Sequence, residues 1–245
     1  MSFKPKFQKG RILKQHMLEA LRDYPYDLVH TLFADMGDGI ISGLNISSPD
    51  EKHFEVSLGI VKMNGELYFL TQNITLEFQE TRNYVYLKKS ISETDDGTIS
   101  EVSIIQKQSE DTSLFELFRY VKNATVKQYT DIGEVYCDTP NRIDQSFALK
   151  SVVGGSTLCN SYYILFADAI LKRPNADVRD VSFAYHCLNG ISHIELVKSY
   201  FGTESVSNSQ VIQLMKNKLQ MLEDLSQPAQ VVTPSRQPEK KMIIS

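Results

Sequence analysis

A chain of 245 residues, 42% hydrophobic and 23% charged, can bury a sizeable core, and that balance fits neither wholesale disorder nor a membrane protein. The net charge is −4, and the only basic block is Lys4, Lys6, Lys9, Arg11 and Lys14, which argues against a nucleic-acid partner. Cys137, Cys159 and Cys187 are widely spaced with no CxxC pair, so the thiols are expected to be reduced, with neither a disulfide framework nor a zinc site.

No signal-peptide run opens the chain, and no stretch of roughly eighteen apolar residues occurs, so secretion and membrane insertion are not expected. A cytoplasmic protein follows, in which the sequons at Asn45, Asn73 and Asn123 read as chance matches.

From Gly10 to Arg22, Ile12, Leu13, Met17, Leu18 and Leu21 fall at helical spacings, with Lys14, Gln15, Glu19 and Arg22 largely opposite. Tyr24-Pro25 predicts a break, with Pro25 early in a second helix carrying Leu28, Val29, Leu32 and Phe33. Gly37-Asp38-Gly39 then ends the helical pattern. Residues 39–46 and 54–63 are rich in branched side chains, and Asn64-Gly65 before Glu66-Leu67-Tyr68-Phe69-Leu70 predicts a β-hairpin with a type I′ turn. Further strands are expected over 74–78, 83–90 and 98–107, with a turn at Asp95-Asp96-Gly97. The run from Leu114 to Val121 fits helix or strand, and the reading leans to helix.

Pro140 to Gly155 is rich in turn residues and is expected to separate two domains. Helical spacing returns over 157–172, 178–188, 192–202 and 209–225, with Ser192 and Glu195 at capping-box spacing. After Leu225, three prolines and no period predict an extended tail tipped by Met242-Ile243-Ile244. The fold class expected is α+β: an N-terminal helical arm (1–36), an antiparallel β sandwich or barrel-like domain (37–139), a linker (140–155), a C-terminal helical bundle (156–225) and a flexible tail (226–245).

Catalytic chemistry finds no anchor in the sequence. Gly37, Gly39 and Gly43 have the spacing of neither a dinucleotide fingerprint nor a phosphate loop, and Gly154-Gly155, placed before a helix start at Ser156-Thr157, has no lysine at the phosphate-loop position. The five histidines are scattered, Cys187 cannot readily use its neighbour His186 as a base, and no GxSxG elbow is present. Tyr84 and Tyr86 share one strand face, which would suit base stacking, but no basic groove accompanies them, so core or interface packing is the better use. No catalytic residue, metal ligand or cofactor is expected.

The residues Asp38, Gly39, Ile40 and Gly43, followed by Gly59, Ile60, Lys62, Asn64, Gly65, Leu67 and Tyr68, form a "DGI-SG" turn and a "GI-K-NG-LY" hairpin behind a helical arm. This pattern resembles the opening of proteins encoded in Firmicute phage-like and contractile-tail loci. More distantly it resembles the shoulder domain of TssK-type type VI baseplate adaptors and of phage receptor-binding proteins. The resemblance covers about the first third of the chain. It implies a shoulder-like β domain and a non-enzymatic adaptor within a tail-like particle. Its partners would be other tail or baseplate proteins and further copies of itself, in a trimer. The alternative is a nucleic-acid- or nucleotide-binding accessory protein of the same locus. The expected partner-binding residues are Ile12, Leu13, Met17, Leu18 and Leu21 on the arm and Met242, Ile243 and Ile244 on the tail.

Overall fold

The computed structural model describes residues 9, 10, 12, 14–94, 97–136, 139–204 and 207–226, with 97–100, 225 and 226 described by backbone alone. Leu13, Cys137, the turn residues Asp95 and Asp96, and the tail with Met242, Ile243 and Ile244 lie outside the described residues.

The arm is one helix rather than two, α1 (Gln15–Leu32), with Pro25 inside it. A proline removes one N–H and frees the carbonyl four residues back, here that of Leu21. No residue of α1 is buried, so water can solvate that carbonyl.

Beyond α1 the period becomes two. The strands are β1 (Gly39–Gly43), β2 (Ile46–Ser47), β3 (His53–Val56), β4 (Gly59–Met63), β5 (Glu66–Leu70), β6 (Ile74–Glu77), β7 (Thr81–Thr94), β8 (Gly97–Lys107) and β9 (Phe115–Lys122). The β4–β5 turn is as expected: Asn64 and Gly65 have φ of 54° and 79°, and a type I′ turn needs both positive. β9 corrects the helix reading of 114–121. It pairs antiparallel with β7, and Leu117, Phe118 and Tyr120 are buried, so both faces are covered and the strand lacks the alternation that would have marked it.

The interval 140–155, expected to be a linker, is woven into the sheets. Following β10 (Lys127–Gln128), it holds β11 (Arg142–Ile143) and β12 (Leu149–Val152), and β13 (Gly155–Leu158) comes next. β12 lies parallel to β1, with Ile40 opposite Lys150, so the largest sheet, ordered β13-β12-β1-β4-β5, is mixed rather than purely antiparallel. Two three-stranded sheets, β2-β3-β6 and β8-β7-β9, accompany it, and none of the sheets closes into a barrel.

Four helices follow: α2 (Asn160–Leu171), α3 (Val178–Leu188), α4 (Ile194–Phe201) and α5 (Asn208–Ser226). The start of α4 is corrected, because its cap is His193 and not Ser192. His193 Nδ1 accepts the Glu195 N–H at 3.1 Å. A capping box does exist at α3, where Asp177 and Asp180 each accept the other's backbone N–H. Gly202 ends α4 in the left-handed region, as the sequence predicts.

Two apolar clusters result. One gathers Phe54, Phe78, Phe118 and Tyr120 between the strands, with the Phe54 and Phe118 rings edge-on at 5.0 Å. The other gathers the inner faces of α2–α5 and reaches Ala148, Val152 and Leu158 beside and within the β12–β13 hairpin. That hairpin therefore belongs to the main sheet by its hydrogen bonds and to the helical core by its side chains.

Candidate functional site

The motif residues of the first third converge on the root of α1. Lys62, next to the last residue of β4, is 9% exposed in a strand that is otherwise apolar. Its Nζ donates to the carbonyls of Phe33 at 2.9 Å, Ala34 at 3.2 Å and Met36 at 2.7 Å, the groups just past the end of α1. A helix C-terminus is the negative end of its dipole and leaves carbonyls without intrahelical donors, so one ammonium with three donors meets both needs. Asp38 secures the neighbouring turn, accepting the Asn64 N–H at 2.9 Å and the Gly65 N–H at 3.0 Å.

The glycines of the motif permit close backbone approach. A Cβ on Gly43 would lie 2.0 Å from the Leu58 carbonyl oxygen, and one on Gly59 would lie 2.4 Å from that of Ser42. Gly43 also needs its φ of 67°. The pattern thus builds a clamp for the base of the arm, with Asp38 and Lys62 as its two charged members.

From that clamp α1 presents an apolar face to solvent. Leu18, Leu21, Leu28 and Leu32 are 52%, 50%, 45% and 65% exposed, with Tyr24 and Pro25 also exposed on the same side. Met17 is half-buried and Ile12, ahead of the helix, is exposed. The structure therefore brings Met17, Leu18 and Leu21 together with Leu28 and Leu32, which the sequence assigned to a separate helix. Lys62 belonged to the motif but had no assigned role. Its signal was a single charge inside an apolar strand.

Among the described residues, the thiols, tyrosines and glycines that the sequence singles out pack within the fold. Burial pushes the Cys159 thiol up to about 11 and the Cys187 thiol up to about 12, so neither is a thiolate near neutrality. Tyr84 and Tyr86 are buried, stacked on each other at 6.3 Å, and Arg119 lies over the Tyr84 ring at 4.8 Å, so they offer no platform for a base. Gly154, between β12 and β13, and Gly155, which opens β13, lie against Ile194, not at a helix start. No group of three metal-ligating side chains occurs among the described residues, and no helix among them is long and apolar enough to cross a membrane.

No family model matches the sequence, and no curated protein matches it. Two solved structures align with the chain. One is from the type VI secretion system TssK-TssF-TssG baseplate subcomplex, seen by cryo-electron microscopy, which is 11% identical over 91% of this chain and 100% of that one, at a TM-score of 0.40. The other is the crystal structure of TssK, 10% identical over 92% of this chain and 56% of that one, at a TM-score of 0.30. Alignments at these scores establish neither family nor function.

Proposed function

We propose that the chain is a non-enzymatic structural adaptor of a phage tail-like baseplate or contractile injection system, assembled from the cytoplasm into a tail-like particle as a homo-oligomer. It would join its partners through protein contacts, with α1 as the attachment device. The observation that carries this reading is an 18-residue helix with no buried residue, held at its root by Lys62 and presenting a face of leucines. A helix of that length is marginal alone in water, and its apolar face is of use to the molecule only when something covers it. The resemblance of residues 38–68 to proteins of contractile-tail loci supports a baseplate as the setting. Met242, Ile243 and Ile244 are proposed as a second contact.

The test is a chain carrying Leu21→Asp and Leu28→Asp. Both positions are exposed, so at dilutions where the chain is monomeric the melting temperature should shift by no more than about 2 °C, as expected of surface substitutions. Incorporation into tail-like particles purified from the producing cell should be lost. Normal incorporation of this variant would refute α1 as the attachment device.

A further inference from the structure

We propose that the exposed face of α1 is covered by the same face of a second copy of this chain, the two helices running antiparallel about a two-fold axis. This rests on the reading of α1 as the attachment device and names its partner.

The spacing is the first reason. Leu18, Leu21, Pro25, Leu28 and Leu32 recur at steps of three, four, three and four. That is the 3.5-residue period of a seam that stays in register with another helix, and Tyr24 and Val29 widen it on either side. The seam is about 21 Å long, two heptads, which is short for a free coiled coil. The Lys62 clamp offsets this by fixing the direction of the arm on the body before it meets a partner.

Charge selects the partner and the orientation. Lys9, Arg11 and Lys14 lie ahead of α1 with no acid among them, whereas Asp27 and Asp35 lie towards its C-terminal end, where residues 23–38 hold no Lys or Arg. Arg22 and Asp23 pair with each other at 2.6 Å and cancel, and Asp38 is held by the Asn64-Gly65 turn. No acid occupies the first turn of α1. Within one helix this order opposes the dipole and is unfavourable. In an antiparallel pair each basic end lies beside the partner's acidic end, so the same order becomes attractive between copies. A parallel pair, or the three-fold arrangement that the resemblance implies, would instead gather the basic ends. Antiparallel self-pairing is isologous and closes at two copies.

Sedimentation equilibrium of the full chain at low salt should give twice the chain mass. Kd should rise about tenfold between about 0.05 M and 1 M salt, because the charged ends are exposed and screened. The Leu21→Asp, Leu28→Asp variant should sediment as a monomer. Orientation is read in a Cys137→Ser background, since Cys159 and Cys187 are buried. A bismaleimide spanning about 10 Å should join Leu18→Cys chains to Leu32→Cys chains when the two are mixed. Leu18→Cys chains alone should stay unjoined, their thiols being about 20 Å apart across an antiparallel pair.

A monomer at every concentration, a trimer, a dimer that survives the aspartates, or self-joining of Leu18→Cys chains would each overturn the proposal. Particle incorporation separates it from the adaptor reading. A chain that dimerises in this way but is absent from particles sinks the adaptor alone, and a monomer found in particles sinks the dimer alone.

Discussion

Asp180→Ala is expected to lower stability by about 3 kcal/mol, because it removes a buried carboxylate, paired with a half-buried lysine, that joins three helices. The Asp180 carboxylate, 1% exposed, accepts the Tyr200 hydroxyl of α4 at 2.8 Å and the Lys218 ammonium of α5 at 2.8 Å. It also accepts the Asp177 N–H, closing the cap of α3. Burial, and then the bond to Asp180, push the Tyr200 hydroxyl far above its ordinary range, and its ring stacks on Phe183 at 3.9 Å. Without the carboxylate, Lys218 and Tyr200 lose an acceptor together, beside the most closely stacked rings of the helical core. Asp180→Asn keeps the shape and one acceptor oxygen, so it should cost less. Urea unfolding of the two variants reads both losses: equal losses would show that the retained oxygen and shape contribute nothing, and an unchanged Asp180→Asn would show that the charge contributes nothing.

Lys62→Met is expected to cost about 2–3 kcal/mol, the range for a hydrogen-bonded charged group whose partners are left bare. Methionine fills the same volume, so the loss reports the ammonium and not a cavity. The carbonyls of Ala34 and Met36 would turn to water, that of Phe33 would keep only the Met36 N–H, and the arm would lose its fixed direction. Cleavage by a protease within residues 33–38 should accelerate along with the fall in urea midpoint. A variant of unchanged stability and unchanged cleavage would show that the clamp is incidental.

Local chemistry made part of this architecture readable in advance. The Asn64-Gly65 turn was legible because few other pairs tolerate two positive φ values in succession. α2, α3 and α5 were legible because their buried residues recur at helical steps. Features set by distant partners were hidden. β9 is buried on both faces, and β12 finds β1 across more than a hundred residues, so neither leaves a periodic signature. Pro25 suggested a break that a helix with no buried residue does not need. His193 displaced Ser192 as a cap because an unprotonated imidazole nitrogen accepts as well as a hydroxyl does. At the candidate site the leucines were visible, but the clamp was not. Lys62 acquires its role only when β4 is laid against the turn after α1, and Gly59 only when its strand meets the Ser42 carbonyl.

The account holds that α1 is an exposed helix in the free chain and a covered one in the assembly. Hydrogen exchange of the α1 amides, followed by mass spectrometry in the dilute monomer and in assembled particles, measures that difference directly. An unpacked helix opens at little free-energy cost, so its amides should exchange rapidly in the monomer and at least about a hundredfold more slowly once covered. Protection already complete in the dilute monomer, or unchanged on assembly, would contradict the account.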